Sequence, residues 1–326
     1  MKLRYFFLVL VIFTGLGYSA QSDSQTKPHL ENYFSLRYDN DFFSATDRYY
    51  TQGIVLSFIH PVVRYSPFSY SHIKLNKKNA LNYYGFHAEQ DVFTPRSIRY
   101  KSGAVYYGER PFTAVFFISH SLTSINTSKK LLLRTQLDLG ILGPEAKGEE
   151  EQKGIHKALD NIEPQGWANQ LSTDYIVNYN VRAERGILNK KHAEFIVALT
   201  ARLGTLYTDA GMGFIFRIGI FSPYFNNLGL EKNAALRKND FKLYAVAKAN
   251  GRLAGYNATL QGGLTNRGNT YELPDNAISR AVADLSAGIV VAYKRVSLEY
   301  TKVYITPEFK TGLDHGWGKC VITLCF

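Results

Sequence analysis

Strand-like alternation is clearest in Leu133-Arg134-Thr135-Gln136-Leu137-Asp138-Leu139-Gly140-Ile141. Side chains of a β-strand point alternately to opposite faces, so most of this segment's apolar groups share one face and its charged groups share the other. A membrane-spanning barrel turns its apolar face to lipid and accepts charged residues in its lumen. The segment is therefore typical of a barrel wall.

The same alternation recurs along the chain, for example at 34–39, 194–202 and 297–301. We expect twelve strands, and an even number is what single-chain bacterial barrels require. Neither an internal repeat nor a linker divides the sequence, which indicates one domain. The expected strands lie near 32–40, 48–61, 82–93, 111–122, 130–142, 173–187, 190–203, 208–220, 240–262, 282–293, 295–305 and 317–326.

Composition supports a membrane barrel. Tyrosine occurs 23 times and phenylalanine 21 times, yet the mean hydropathy is only −0.18. Abundant aromatic residues without long apolar runs fit a barrel that carries aromatic girdles at both membrane interfaces. We therefore predict an all-β, transmembrane antiparallel barrel of about 12 strands over residues 21–326, located in the bacterial outer membrane.

The two ends of the sequence agree with export. A basic start, an apolar run and small residues at Ser19 and Ala20 predict a signal peptide over residues 1–20. The alternative is an uncleaved anchor helix, although the apolar run is short for a membrane span. The last residue, Phe326, ends a strand-like segment that resembles the C-terminal signature read by the barrel assembly machinery. An ordinary terminal strand of a soluble domain is the other reading.

One segment breaks the strand pattern. Residues 143–170 lack alternation, and good helix formers lie between Pro144 and Pro164, which predicts a short helix over 149–159. If both termini are periplasmic, the connections 41–47, 94–110 and 143–172 are extracellular. Long structured loops are usually functional, so this extracellular helix is a candidate site.

Charge and cysteines exclude some functions. The net charge is +11, but most lysine-rich turns fall on the periplasmic side, and nucleic acid is not expected as a partner. The two cysteines, Cys320 and Cys325, lie on opposite faces of one strand and are not expected to bond to each other. Basic residues remaining for the extracellular side are Arg48, Arg96, Arg99, Lys101 and Arg110.

Four short motifs lie between residues 40 and 170. They are Asn40-Asp41 with Tyr50-Thr51-Gln52-Gly53, Gln90-x-x-x-Thr94-Pro95, Glu109-Arg110-Pro111-Phe112, and Gln152-x-x-x-His156 with Gly166-Trp167-x-x-Gln170. Motifs of soluble hydrolases such as Gly-x-Ser-x-Gly and His-Glu-x-x-His are missing. A serine nucleophile therefore has no local support.

In this order, the four motifs resemble the lipid A 3′-O-deacylase family of outer-membrane barrels. The resemblance implies a twelve-stranded barrel whose active site lies between the wall and a loop helix. It also implies calcium-dependent hydrolysis that releases the 3′-linked acyloxyacyl group of lipid A. A histidine would activate water, and calcium would stabilise the oxyanion.

The residue types suit this chemistry. Imidazole titrates near neutral pH, so His156 is the candidate general base, and Gln152 shares its helix face. Asp41 is a hard oxygen ligand for Ca²⁺, and Asn40 could add a ligand or an amide donor. Thr51 lies at the same end. Strand parity assigns Asn40 to the lipid-facing set, and assigns Asp41 and Thr51 to the lumen set.

Alternatives stay open for each assignment. His156 could be a solvated loop histidine, and Asn40-Asp41 could simply start a turn. The lipid phosphate needs a basic partner, for which Arg96, Arg99 and Lys101 are candidates that the motifs do not align uniquely. The competing functions are an outer-membrane phospholipase and a non-enzymatic small barrel or channel.

Overall fold

The computed structural model describes residues 32–44, 48–75, 80–98, 107–158, 160, 162–226 and 241–326. The predicted signal peptide, residues 1–20, and its cleavage point lie outside these residues. Among the described helices, none has the length and apolar character needed to cross a bilayer.

Twelve antiparallel strands form one closed barrel, in which each strand pairs with its sequence neighbours and β1 pairs with β12. Each of the twelve predicted strands is present, so this prediction is confirmed. The strands are β1 (Tyr33–Asn40), β2 (Tyr49–Ile59), β3 (Ala80–Thr94), β4 (Thr113–Asn126), β5 (Leu131–Leu142), β6 (Asp174–Asn189), β7 (Ala193–Gly204), β8 (Tyr207–Ile220), β9 (Phe241–Asn257), β10 (Ala281–Tyr293), β11 (Val296–Ile305) and β12 (His315–Cys325).

The closing pair β1–β12 runs in continuous register from Tyr33↔Cys325 to Asn40↔Gly318. Closure provides hydrogen-bond partners for the backbone amides and carbonyls of both edge strands. Lipid tails could not provide such partners. Because pairing is in register, neighbouring residues on adjacent strands share a face. The lipid-facing rows expose leucine, isoleucine and aromatic side chains such as Leu199, Leu285 and Tyr300.

The lumen is packed with side chains rather than open along its length. Near its middle, Arg37 pairs with Glu89 at 2.8 Å, and the Tyr50 hydroxyl donates to Asp91 at 2.8 Å. Two apolar clusters fill the two ends, and polar cavities of about 340–370 Å³ remain between them.

Two short helices lie in connections at one end of the barrel, α1 (Gly148–Ala158) and α2 (Ala258–Gln261). The predicted helix over 149–159 therefore matches α1. We call this end, away from the chain termini, the loop end. With an even strand count both termini lie together, and outer-membrane barrels place that end in the periplasm. The connection that carries α1 is therefore extracellular.

A buried ion pair ties the loops together across the loop end. Arg110 is 1% exposed, donates to Glu308 at 2.8 Å and to Thr259 of α2 at 2.8 Å, and lies over the Phe93 ring. Glu308 also accepts from Arg252 at 2.9 Å. Burial alone would raise the pKa of Glu308, but the two guanidinium groups outweigh it and lower this pKa to about 2.

We expect Glu308→Gln to lower the free energy of unfolding by about 3–5 kcal/mol, because it leaves buried Arg110 without its counter-charge. The control Glu150→Gln removes an exposed pair with Lys147 and should cost less than about 1 kcal/mol. Urea titration of the folded barrel, followed by its heat-modifiable mobility, measures both changes. Because the folded pKa of Glu308 is depressed, its contribution should be complete above the unfolded value of 4.5 and disappear as pH falls toward about 2. Equal stability of the two variants would contradict this role.

Candidate active site

Helix α1 lies on the outside of the barrel, against the wall formed by β3 and β4. Val92 and Ala114 face outward and are completely buried, because they pack with Ala146, Phe112 and Trp167 of the adjoining connections. Apolar packing therefore fixes the connection to the lipid-facing wall rather than over the lumen.

The close approach of α1 requires a glycine at its first position. A Cβ on Gly148 would lie 2.5 Å from the Ala114 Cβ and 3.0 Å from the Trp167 ring. Polar contacts add to the packing: the Gln90 side chain donates to the Ala146 carbonyl at 2.7 Å, and Gly143 N–H donates to the Ala114 carbonyl at 2.8 Å. The helix start is thus held against the wall at several points.

The predicted base and its helix partner lie on the buried face of α1. His156 is 7% exposed and Gln152 is 1% exposed, one helical turn apart. His156 Nδ1 lies 2.6 Å from the Ile162 carbonyl oxygen, which can only accept, so Nδ1 carries the proton. Nε2 of the neutral imidazole is then the acceptor. The Trp167 indole N–H donates to Gln152 Oε1 at 2.8 Å, which orients the amide.

The end of β1 supplies the facing wall. Asn40 Nδ2 donates to the Tyr38 hydroxyl at 3.0 Å, so Asn40 lies on the outward face, as parity predicted. Its Oδ1 accepts from Phe42 N–H at 2.8 Å and begins a 3₁₀ turn over Asp41–Ser44. Asp41 is 3% exposed and belongs to this turn, where strand parity does not apply.

Strand parity was wrong for Thr51. A β-bulge separates Tyr50, which pairs with Phe93, from Gln52, which pairs with Val92, and leaves Thr51 as the extra residue. Its hydroxyl contacts the Thr94 hydroxyl at 2.8 Å. Thr94 shares the outward parity of Val92, so Thr51 lies on the outer wall and not in the lumen. A bulge places two consecutive residues on one face, which a period of two cannot anticipate.

Backbone strain precedes the bulge. Tyr49 has φ +68°, a left-handed value that bulky residues rarely adopt. Its ring is buried and packs edge-on against Phe309 and His315, and its hydroxyl accepts from Leu313 N–H at 3.2 Å. These contacts hold the strained residue in place and so fix where the bulge occurs.

Glu151 lies where α1 approaches the end of β1. The Tyr38 hydroxyl lies within electrostatic range of both Asp41 and Glu151, so the start of α1 faces the end of β1. Burial raises the pKa of Glu151 from 4.5 to about 7. Its Oε2 is buried and makes no hydrogen bond to the described residues. The sequence pattern does not point to Glu151, because a third glutamate in an acidic run has no distinguishing local signal.

Gln52 was overlooked as well. It lies opposite Asn40 on the outer face, is 2% exposed, and its Nε2 makes no hydrogen bond within the described part of the chain. Gln152 Nε2 is likewise buried and has no partner there. Counting alternate positions along β2 also assigns Gln52 to the outward face, with Ile54 and Leu56, but only the structure shows that Gln52 is buried there.

The basic candidates divide into two groups. Arg96 is exposed on the connection after β3, whereas Arg99 and Lys101 lie outside the described residues. Arg48 donates to the Asp314 carbonyl at 2.8 Å, and Arg110 is engaged with Glu308. Arg48 and Arg110 therefore stabilise loops, and Arg110 is too buried to reach a lipid phosphate.

The donor set of the cleft fits a calcium ion. Asp41 and Glu151 supply carboxylates near Tyr38, and Asn40 supplies an amide oxygen. Oxygen ligands suit Ca²⁺, whereas structural zinc sites use thiolates and several imidazoles. Both cysteines lie on β12 and neither forms part of a cluster with histidines within the described residues. Within the described residues, no group of three or more His, Cys, Asp or Glu side chains converges, so further ligands would be carbonyl oxygens or water.

Comparisons with known proteins show the family and the fold of the chain. A family model described as outer membrane protein LpxR matches residues 6–326. LpxR from Salmonella typhimurium is structurally similar, with a TM-score of 0.72 and 21% identity, covering 90% of this chain and 100% of that one. The β domain of the Bordetella autotransporter Brka is more distant, with a TM-score of 0.43 and 11% identity over 91% of this chain and 100% of that one. No curated protein matched the sequence.

We expect Gly148→Ala to displace α1 from the wall, since its Cβ would overlap Ala114. Trp167, which is 1% exposed, should then show red-shifted fluorescence while the barrel stays folded. Gly154→Ala is the matched control, because its Cβ meets nothing within 4 Å. A helix that stays docked in Gly148→Ala, with unchanged emission, would contradict the packing argument.

Proposed function

Because the chain belongs to the LpxR family of outer-membrane proteins, the family that its four motifs resemble, we propose that it is a calcium-dependent carboxylic ester hydrolase. It removes the 3′-linked acyloxyacyl group of lipid A, with His156 as the general base. The observation that carries this proposal is the burial of His156 and Gln152 on one face of a helix that is held against the outer wall, with Glu151 of the same helix within electrostatic range of Tyr38 at the end of β1.

The candidate site suits a lipid substrate because α1 packs on the lipid-facing side of the barrel. Below α1, the wall exposes Phe116, Ile118 and Leu139, along which acyl chains can lie. The connection that carries α1 is extracellular, and lipopolysaccharide occupies that leaflet. The position of the cleft therefore favours lipid A over a substrate of the periplasmic leaflet.

His156 has the geometry of a general base. With Nδ1–H donated to the Ile162 carbonyl, Nε2 takes a proton from water as that water attacks the ester carbonyl carbon. The Ile162 carbonyl also stabilises the imidazolium that forms. Collapse of the tetrahedral intermediate breaks the bond to the sugar oxygen, and the imidazolium returns the proton to that oxygen. The products are a carboxylic acid and the free hydroxyl group.

Two amide groups can stabilise the developing oxyanion. Gln152 Nε2 and Gln52 Nε2 are buried donors without partners in the described residues, and buried donors without partners are costly unless a ligand satisfies them. Donors fixed before the reaction lower the barrier without reorganising. Thr51 positions this part of the wall through its contact with Thr94.

A calcium ion would be held by Asp41, with Asn40 and Glu151 as further oxygen ligands. When bound, it would polarise the ester carbonyl and add positive charge beside the oxyanion. Glu151 has a raised pKa without the metal, and a nearby cation would favour its ionised form.

His156→Ala should lower the rate of deacylation by about 10²–10⁴, the usual contribution of a general base. His192→Ala is the control, because His192 is exposed on the turn between β6 and β7. Mass spectrometry of lipid A from cells that express each variant measures the product. Full deacylation by a folded His156→Ala protein would refute the assignment.

Removal of calcium by EDTA should abolish hydrolysis, and added calcium should restore it. Asp41→Asn should weaken calcium binding, measured by calorimetry on the folded protein, because it removes a charged ligand. A matched control is Asp160→Asn, beyond the end of α1. If enzyme free of residual metal keeps its rate, the calcium-dependent mechanism is wrong.

The phosphate of lipid A is proposed to contact Arg96, Arg99 and Lys101. Neutralising all three to glutamine should raise KM more than it lowers kcat, because arginine–phosphate pairs act mainly in binding. The control neutralises Lys129, Lys190 and Lys191 in periplasmic turns. Phosphatidylethanolamine is the competing substrate, and faster hydrolysis of it than of lipid A would assign the chain as a phospholipase instead.

A further inference from the structure

The connection between β2 and β3 folds back onto the outside of the barrel at the end opposite α1. We call residues 60–75 the collar. It contains two 3₁₀ turns, Pro61–Tyr65 and Pro67–Ser71. Val63 of the collar packs on Tyr84 and Leu122, both of which face outward from β3 and β4. The collar therefore covers wall that would otherwise meet lipid.

Polar contacts fasten the collar to the same wall. His72 Nε2 lies 2.7 Å from His120 Nδ1 on β4. His72 Nδ1 lies 2.9 Å from the hydroxyl oxygen of Thr135 on β5. The Tyr179 hydroxyl of β6 donates to the Ser71 carbonyl at 2.8 Å. Burial and the neighbouring His120 lower the pKa of His72 to about 4, so the attachment carries no charge near neutral pH.

The collar reaches well into the membrane region. His120 lies six residues from Asn126, where β4 ends, which is about 20 Å along the strand. At the other limit, His60 stacks on Phe58 and on the C-terminal residue Phe326. These rings mark the periplasmic rim, so the collar spans from the rim into the periplasmic leaflet.

The outer surface of the collar is apolar and basic. Tyr70 is 94% exposed, and other large apolar side chains of the collar are exposed as well. Arg64 and Lys74 are exposed, and the segment 60–75 contains no Asp or Glu. Tyrosine is enriched at membrane interfaces, and lysine and arginine attract anionic head groups. The exposed apolar residues are Val62, Tyr65, Phe68, Tyr70 and Ile73.

From continuity with the lipid-facing wall and from this charge, we propose that the collar is a lipid-binding element of the periplasmic leaflet. Its aromatic residues insert at the boundary of head groups and acyl chains, and Arg64 and Lys74 bind the phosphates of anionic phospholipids. The collar thereby replaces lipid over His120 and Thr135, polar residues that hydrocarbon would leave without hydrogen bonds.

Insertion is tested by spin labelling of the full-length protein in bilayers, after Cys320→Ser and Cys325→Ser. Labels are placed by Tyr70→Cys in the collar, by Lys191→Cys in a periplasmic turn, and by Leu199→Cys on the exposed wall. At position 70, molecular oxygen should relax the spin label strongly, and a water-soluble nickel reagent should relax it weakly. Both accessibilities should lie between those measured at positions 191 and 199. Nickel accessibility equal to that at 191 would overturn the proposal and leave the surface to solvent or a periplasmic protein.

Lipid selectivity is tested with spin-labelled phosphatidylglycerol and phosphatidylcholine as probes of the motionally restricted lipid. The wild-type protein should prefer phosphatidylglycerol, and Arg64→Gln/Lys74→Gln should reduce that preference at least twofold. Lys190→Gln/Lys191→Gln removes the same charge outside the collar and should leave the preference unchanged. No preference in the wild type, or an equal loss in the control, would overturn the role of the basic pair.

Discussion

Backbone hydrogen bonding in a medium without water is the constraint on which this structure depends. A strand edge inside a bilayer leaves its amides and carbonyls without partners, so the sheet must close. Closure here is made by the continuous register of β1 with β12. Once the wall is closed, period-two alternation divides it into a lumen face and a lipid face. Any site that acts on a membrane lipid must then be built on the lipid face.

The lumen and the outer wall carry different chemistry for this reason. Inside, ion pairs such as Arg217–Glu194 at 2.6 Å hold charges that lipid would not accept. Outside, polar groups are tolerated where a connection folds back and covers them. The candidate active site follows this rule, because the connection that carries α1 covers Gln90 and buries Gln152 against the outer wall. Its chemistry depends on a loop attached to a wall that is itself rigid.

Sequence alone predicted the twelve strands because alternation is local, and it predicted α1 because Pro144 and Pro164 bound a run of helix formers. It predicted His156 and Gln152 as a pair because four residues make one helical turn. It placed Thr51 on the wrong face because the bulge depends on Tyr49, whose strain is held by Phe309, 260 positions away. Gln52 and Glu151 were overlooked because the burial of their polar atoms is determined by long-range packing.

Polar residues at lipid-facing positions of the strands indicate where a connection covers the outer wall. Counting parity along β3, β4 and β5 assigns Gln90, His120 and Thr135 to the outward face, where hydrocarbon would leave their hydrogen bonds unmade. Each of them is covered: the connection before α1 accepts the hydrogen bond of Gln90, and the collar contacts His120 and Thr135. Between the two covers the same strands expose apolar residues such as Ile118. On these three strands, a polar residue at an outward position therefore marks wall onto which a connection folds back, as the connection that carries α1 and the collar both show.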